Sequence, residues 1–323
     1  MLRNYLRLQL LSLLAITSAS LVHAQNREVL AEYKIGIIGR DQEDAIYQAT
    51  HLGAQTAARE LSEKYSIDVE LLVLTPNKLQ GGNQQTSMAE LFIEDADGFI
   101  ISPANPDVIR SSLEFAIEQG QKIIFFEREL DGATPLASIL ADEAKAGQLA
   151  GEAILRELPT KGRVAILTSN DPDSALDQRL DALRSTLGYR RIETIVTCEP
   201  DYLSAIQAIR AAEEADRNDL IKGWVFLDDW PLLGLPALPW KPNELPTVAI
   251  QSSPSAFIYI DQKYVDALIV HPYYDWGYIS VDTLINDLHM QIQPENSVIL
   301  TEPRIVDWRN IDSYRESWKE WLK

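Results

Sequence analysis

Cysteine and histidine are scarce in this sequence. Cys198 is the only cysteine among 323 residues, so no intramolecular disulfide can form and packing alone must stabilise the fold. The four histidines, His23, His51, His271 and His289, lack the spacing of metal ligands. We therefore expect no disulfide framework, no metal site and no cofactor.

Motifs for nucleotide binding and hydrolysis are also missing. Gly36 and Gly39 follow the first apolar run, but the third glycine of the dinucleotide fingerprint is absent and three acids lie within residues 41–44. The adjacent Asp228 and Asp229 could serve acid–base catalysis, although paired acids at a strand end more often face solvent or cap helices. We expect a protein that is not an enzyme, with an exported enzyme as an alternative.

The sequence contains fewer basic than acidic residues, 29 against 48. The net charge is -19 at neutral pH, which disfavours binding to nucleic acid or to an anionic membrane surface. The global sign says little about a small ligand, because local charge in a site can oppose it.

Long apolar runs occur only at the N-terminus. Arg3 and Arg7 precede an apolar stretch at residues 8–16, and small residues at 22–24 end the segment. This pattern is typical of a secretory signal peptide, and it predicts cleavage after residue 24 and export. The alternative is a buried apolar helix at an ordinary N-terminus.

The remaining sequence alternates between short apolar runs and amphipathic segments. One such series spans roughly residues 34–158, and the alternation restarts at Arg163 and continues to about residue 288. This spacing predicts two α/β units with parallel sheets. Five prolines within 228–246 exclude a continuous helix there, and residues 307–323 are expected to form a short amphipathic helix docked on one unit.

Polar and aromatic residues gather where the predicted strands end. Ligands of open α/β sheets bind beyond the carboxyl ends of the strands, and carboxylates, guanidinium groups, amides and rings suit a neutral polyol. For Asp44 the alternative role is a helix cap, and for Glu127 with Arg128 it is a local ion pair. The candidate ligand-binding residues are Asp44, Tyr47, Glu127, Arg128, Arg179, Tyr202, Asp228, Asp229, Gln251 and His271.

The order of these pieces resembles the type I periplasmic binding proteins, in particular the ribose-binding-like group related to lactose-repressor effector domains. The resemblance covers roughly Tyr33 to Glu302. The most specific match is His271-Pro-Tyr-Tyr-Asp-Trp-Gly-Tyr, which looks like the second hinge of that family. The other matching segments are Asp97–Asn105, Phe125–Arg128, Leu140–Glu143, Ser174–Leu183 with Arg179, and Val225–Asp229.

The resemblance implies a fold of two doubly wound parallel-sheet lobes joined by a three-crossing hinge, with the ligand between the lobes. It divides the chain into a first lobe of residues 33–139 plus about 272–300, a second lobe of 143–270, and a C-terminal tail of 301–323. It implies a periplasmic protein that captures a small sugar-like ligand for an ABC importer. We expect a monomer, because the cleft needs lobe motion and the sequence shows no coiled-coil or long apolar surface pattern.

Two questions remain open at the level of sequence. The first is the partner, because a sensing subunit for a membrane histidine kinase or chemoreceptor would share this fold. The second is the ligand, because Gln251 and His271 stand where the family usually has aspartate and glutamine, and Glu127 replaces a shorter aspartate. A repressor is disfavoured, since no helix-turn-helix pattern precedes Lys34.

Overall fold

The computed structural model describes residues 29–77, 83–170 and 173–322. The predicted signal peptide, residues 1–24, lies outside the described residues. In the part of the chain that the structure describes, no α-helix combines the length and apolar character needed to cross a bilayer.

These residues form twelve β-strands and nine α-helices. The strands are β1 (Glu32–Ile38), β2 (Asp68–Val73), β3 (Gly98–Ile101), β4 (Lys122–Phe126), β5 (Ala137–Ala141), β6 (Arg163–Ser169), β7 (Ile192–Cys198), β8 (Ile221–Phe226), β9 (Thr247–Ile250), β10 (Ala267–Val270), β11 (Val298–Thr301) and β12 (Arg304–Asp307). The helices are α1 (Ala45–Tyr65), α2 (Gln84–Ile93), α3 (Pro106–Glu118), α4 (Glu143–Glu157), α5 (Ser174–Leu187), α6 (Tyr202–Ala215), α7 (Phe257–Asp261), α8 (Tyr273–Met290) and α9 (Ile311–Trp321).

The strands pair into two six-stranded sheets. The first has the order β11-β5-β4-β3-β1-β2 and is wholly parallel. The second has the order β12-β10-β9-β8-β6-β7, and only β12 runs antiparallel, to β10. We call the first sheet with α1, α2, α3 and α8 the first lobe, and the second sheet with α4 to α7 the second lobe. The predicted fold class is confirmed.

Central strands are apolar on both faces because helices cover both sides of each sheet. All four residues of β3, of β9 and of β10 are buried. Such strands appear in sequence as continuous apolar runs rather than as alternating patterns, which is why the central strands were readily predicted.

Two strands that join the lobes were not predicted. β11 and β12 lie at sheet edges, and β11 leaves only Thr301 of its four residues buried, so the apolar signal is weak. β12 belongs to residues 301–323, the segment interpreted as a tail, and it extends the second sheet. The segment 228–246 contains no α-helix, only a 3-10 turn at Trp230–Leu232, as its prolines require.

Three chain segments cross between the lobes and are tied together by side chains. They follow β5, β10 and β11. The indole Nε1 of Trp276 donates to Thr301 Oγ1 (3.0 Å), and that hydroxyl donates to the carbonyl of Leu140 (2.9 Å). The backbone N–H of Asp142 donates to the carbonyl of Thr301 (2.9 Å). The crossings therefore form one hydrogen-bonded hinge.

The C-terminal helix α9 contacts both lobes. The ring centroids of Trp321 and Tyr274, which lies in α8, are 6.1 Å apart and nearly parallel. On the other side, the ring centroids of Tyr314 and Phe257, which lies in α7, are 5.6 Å apart. The predicted amphipathic helix thus packs across the lobe boundary.

Helices α1 and α8 pack closely because glycines face each other's backbones. A Cβ atom at Gly277 would lie 1.8 Å from the carbonyl oxygen of Thr50, and one at Gly53 would lie 1.9 Å from that of Tyr274. We expect Gly277→Ala to lower the free energy of unfolding by about 1–3 kcal/mol, because the helices must separate. Urea unfolding measures this change. Gln55→Ala on the exposed face of α1 is the control and should shift stability by less than about 0.5 kcal/mol. Equal stability of the two variants would contradict the close packing.

Candidate functional site

The carboxyl ends of the two sheets face each other at the hinge. Glu127 follows β4 of the first lobe, and Gln251 and His271 follow β9 and β10 of the second. We call the space between these ends the cleft. Polar side chains from both lobes form two hydrogen-bonded clusters there, one in each lobe.

Glu127 is the centre of the first-lobe cluster. Its Oε1 accepts from Arg40 Nη2 (2.6 Å), and its Oε2 accepts from the hydroxyls of Tyr47 (2.6 Å) and Ser102 (2.6 Å). The Arg40 guanidinium also donates to the Tyr47 hydroxyl. Burial opposes ionisation, but Arg40 and the two hydroxyl donors together hold the pKa of Glu127 below its ordinary value. The carboxylate is therefore ionised and fully engaged by the protein at neutral pH.

Glu127 and Gln251 share an unusual backbone geometry. Both have left-handed φ angles, 64° and 62°, although neither is glycine. Each backbone N–H donates to the neighbouring strand, Glu127 to Ile139 (3.0 Å) and Gln251 to Ile269 (2.7 Å). The two residues occupy equivalent positions in the two sheets. Strain of this kind, about 1–3 kcal/mol per residue, persists only where the surroundings enforce it and is concentrated at functional sites.

Arg179 of α5 is the centre of the second-lobe cluster. It is 3% exposed and makes a two-point contact with Glu143, from Nε to Oε2 (2.6 Å) and from Nη2 to Oε1 (2.9 Å). Its Nη1 donates to the carbonyl of Leu227 (2.8 Å). Longer contacts reach Asp228 (3.4 Å) and Gln251 (3.4 Å). The guanidinium donors thus face protein acceptors.

His271 belongs to the same cluster and is neutral. Burial lowers its pKa to about 4, despite the neighbouring carboxylate of Glu143. Because Arg179 Nη2 donates to Nε2 (3.2 Å), the ring hydrogen is assigned to Nδ1. The ring stacks on Trp276, with centroids 6.0 Å apart. Nδ1 is buried and has no hydrogen-bond partner among the described residues.

Asp228 and Asp229 form a buried acidic pair at the end of β8. Asp228 Oδ1 accepts from the N–H of Asp229 (2.8 Å), and Asp229 Oδ2 accepts from the N–H of Ser253 (2.8 Å). Burial and the repulsion of Asp228 raise the pKa of Asp229 to about 7. Burial also raises the pKa of Asp228, against the opposing effect of Arg179. The two carboxyls are therefore coupled, and ionisation of one disfavours ionisation of the other.

Two of the predicted residues lie at the edge of these clusters, and a third makes its side-chain contact elsewhere. Asp44 caps α1 by accepting from the N–H of Ile46 (2.9 Å), which is the alternative role that its position suggested. Arg128 reaches across the cleft to Asp173 of the second lobe (3.3 Å). The hydroxyl of Tyr202 donates to the carbonyl of Leu235 (2.7 Å) in the proline-rich segment, away from either cluster.

The structure thus brings most of the predicted residues into two groups. Tyr47 and Glu127 meet in the first lobe, and Arg179, Asp228, Gln251 and His271 meet in the second. Sequence reasoning missed four partners of these residues, which are Arg40, Ser102, Glu143 and Asp173. Arg40 and Ser102 directly follow strand ends, so the same strand-end rule applied to β1 and β3 would have found them. Glu143 is the first residue of α4 and Asp173 caps α5, and neither position indicates a cleft residue from sequence alone.

Comparison with known proteins agrees with this geometry. A family model described as "Periplasmic binding protein domain" matches residues 35–288. By sequence, no curated protein matches the chain.

Several solved structures share the fold at low sequence identity. A periplasmic ribose ABC transporter protein from Conexibacter woesei has a TM-score of 0.78 at 19% identity, covering 91% of this chain and 99% of that one. An ABC transporter solute-binding protein from Burkholderia graminis in complex with D-arabinose has a TM-score of 0.71 at 20% identity, covering 87% and 97%. A Caulobacter myo-inositol binding protein bound to myo-inositol has a TM-score of 0.68 at 15% identity, covering 87% and 95%.

We expect Arg179→Ala to destabilise the protein strongly. The change leaves the buried carboxylate of Glu143 without its counter-charge, which typically lowers the free energy of unfolding by about 3–5 kcal/mol. Urea unfolding measures the loss. Arg128→Ala is the control: that arginine is 46% exposed, so its ion pair should contribute less than about 1 kcal/mol. Similar losses in both variants would contradict the assigned role of Arg179.

We expect the stability contribution of Asp229 to depend on pH. A carboxyl whose pKa is raised on folding binds more protons in the folded state, so stability falls as pH rises from about 4 to about 7. Asp229→Asn removes this pH dependence. We therefore expect the free energy of unfolding of the variant, relative to that of wild type, to be higher at pH 8 than at pH 4 by roughly 1 to 4 kcal/mol. Urea midpoints at several pH values test this. A difference that does not change with pH would show that Asp229 titrates normally.

Proposed function

This chain belongs to the periplasmic binding protein domain family, and from that premise we propose that it is a periplasmic solute-binding protein that captures a small sugar-like ligand in the cleft for an ABC importer. The observation that carries the proposal is the pair of polar clusters that face each other at the carboxyl ends of the two sheets. Ribose, arabinose and myo-inositol appear in the descriptions of proteins with this fold, which supports a polyhydroxylated ligand.

The lobe boundaries that we propose agree with the two sheets and their helices to within two residues, apart from β12. The first lobe comprises residues 33–139 and about 272–300, and the second comprises 143–270. The remaining residues, 301–323, contribute β12 to the second sheet and helix α9 to both lobes. With the hinge between them, the lobes can close over a ligand as a monomer.

The residues that we propose for ligand contact combine charged and planar polar groups. Carboxylates and guanidinium groups make paired hydrogen bonds to neighbouring hydroxyls, and tyrosine rings cover C–H faces. Tyr202 is left out because Leu235 engages its hydroxyl. The proposed set is Asp44, Tyr47, Glu127, Arg128, Arg179, Asp228, Asp229, Gln251 and His271.

A sensing role is the second candidate function. Arg179 and Glu127 are already engaged by protein groups, and Arg128 bridges the lobes to Asp173. A ligand must therefore displace internal contacts when it binds. Such an exchange suits a subunit that reports occupancy to a membrane histidine kinase or chemoreceptor as well as one that delivers cargo.

Thermal unfolding of residues 25–323 against monosaccharides, polyols, disaccharides and nucleosides tests the proposed binding. A ligand at about a hundred times its dissociation constant adds about 2.7 kcal/mol, which corresponds to a rise of about 5 to 10 °C in Tm. Glu127→Gln should reduce the rise, because Glu127 organises the first-lobe cluster.

The matched control is Glu114→Gln on the exposed face of α3, which should retain the full rise. A folded protein whose Tm is unchanged across the whole panel would sink the proposal of a sugar-like ligand. Saturable binding accompanied by turnover of the ligand would instead favour an enzyme.

A further inference from the structure

The positive charges of the cleft are already paired. Arg40 contacts Glu127 (2.6 Å), Arg128 contacts Asp173 (3.3 Å) and Arg179 contacts Glu143 (2.6 Å). Each guanidinium group thus has one principal carboxylate partner. The first and third pairs are largely buried, so little counter-charge remains for other acids nearby.

Three further carboxylates of the cleft have no arginine of their own. They are Asp44, Asp228 and Asp229. Asp228 lies 3.4 Å from Arg179, but Glu143 holds that guanidinium at two points. The acceptor bonds of Asp44 and Asp229 come from backbone N–H groups.

These three acids come from both lobes, Asp44 from the first and Asp228 and Asp229 from the second. Asp228 and Asp229 are adjacent at the end of β8, and Asp44 of the first lobe adds to the repulsion felt by Asp229. The pKa of each of the three is raised, mainly by burial and in part by neighbouring carboxylates. The pKa values of Glu127 and Glu143, each of which contacts an arginine, are instead lowered. When these acids are ionised, the cleft therefore carries more negative than positive charge, and a ligand with only neutral hydroxyl groups cannot offset the difference.

The buried imidazole of His271 is a second observation that points to a ligand. His271 is 1% exposed and its Nδ1 has no hydrogen-bond partner among the described residues, although its Nε2 is held by Arg179. The negative charges of Glu143 in the same cluster and of Glu127 in the first-lobe cluster both act on the ring. A buried donor without an acceptor is unfavourable, so a ligand oxygen would satisfy it.

We propose that the ligand of this cleft is a polyhydroxylated amine such as an amino sugar, whose ammonium group is held by Asp228 and Asp229 from the second lobe and faces Asp44 from the first. This inference rests on the proposed sugar-like ligand and specifies its charge. An ammonium group offers three donors to carboxylates, and His271 Nδ1 would donate to a ligand hydroxyl. Among the described residues no group of histidine, cysteine or acidic side chains is arranged to hold a metal ion, which favours an organic cation.

Matched ligand pairs test the inference. We would measure affinities by calorimetry at pH 7 for D-glucosamine, D-galactosamine and D-mannosamine, each beside its neutral parent sugar and its N-acetyl derivative. The amine should bind at least tenfold more tightly than the parent, and N-acetylation should abolish the gain because it removes the charge. Proton release, read from the dependence of the binding enthalpy on the buffer, should accompany amine binding, since the cation lowers the pKa of the acidic pair.

Variants of the acidic pair identify where the amine binds. In Asp228→Asn with Asp229→Asn the ratio of amine to parent affinity should fall towards one. Asp68→Asn is the control and should keep the wild-type ratio, because Asp68 is exposed at the amino end of β2, opposite the edge that faces the cleft.

The outcomes separate this inference from the proposed function. Parent sugars that bind as tightly as their amines would overturn the cationic ligand and leave the sugar-binding role intact. A folded protein that binds neither class would overturn both. An amine preference that survives the double variant would overturn the assignment to Asp228 and Asp229.

Discussion

The buried contact between Arg179 and Glu143 is the interaction on which the second-lobe cluster depends. Two opposite charges taken out of water are tolerated only when they meet at close range, and these meet at two points. Gly147 makes this possible, since a Cβ atom there would lie 2.1 Å from the carbonyl oxygen of Arg179. With α4 and α5 held at this distance, the guanidinium fixes the carbonyl of Leu227 and the ring of His271.

The first-lobe cluster also stabilises a buried charge by close hydrogen bonds, but it uses different residues. Glu127 is the buried acid, and Arg40, Tyr47 and Ser102 supply its donors. In both lobes a strand-end residue, Glu127 or Gln251, adopts a left-handed backbone conformation. Each cluster is therefore held together by its own hydrogen bonds, some of which a ligand would have to replace.

The hinge and the C-terminal helix constrain how these clusters move relative to each other. Hydrogen bonds through Thr301 join the crossing segments, so the segments move together. Trp321 of α9 stacks on Tyr274 of one lobe, and Tyr314 of α9 packs edge-to-face against Phe257 of the other. Rotation of the lobes must therefore rearrange aromatic contacts as well as the exposed pair of Arg128 and Asp173.

The sequence by itself determined the alternation of buried strands and helices, because continuous apolar runs and amphipathic spacing are local signals that parallel sheets require. It also predicted that Glu127, Arg179 and His271 lie at the cleft, through the strand-end rule and a family resemblance. It did not determine their partners: nothing local links Glu143 to Arg179, which lies 36 residues further along the chain. Edge strands β11 and β12 were missed for a related reason, since little of β11 is buried and each strand pairs with a distant segment. Only the tertiary structure decided which charges are paired and which acids remain, because charge pairing depends on distances between segments that are far apart in sequence.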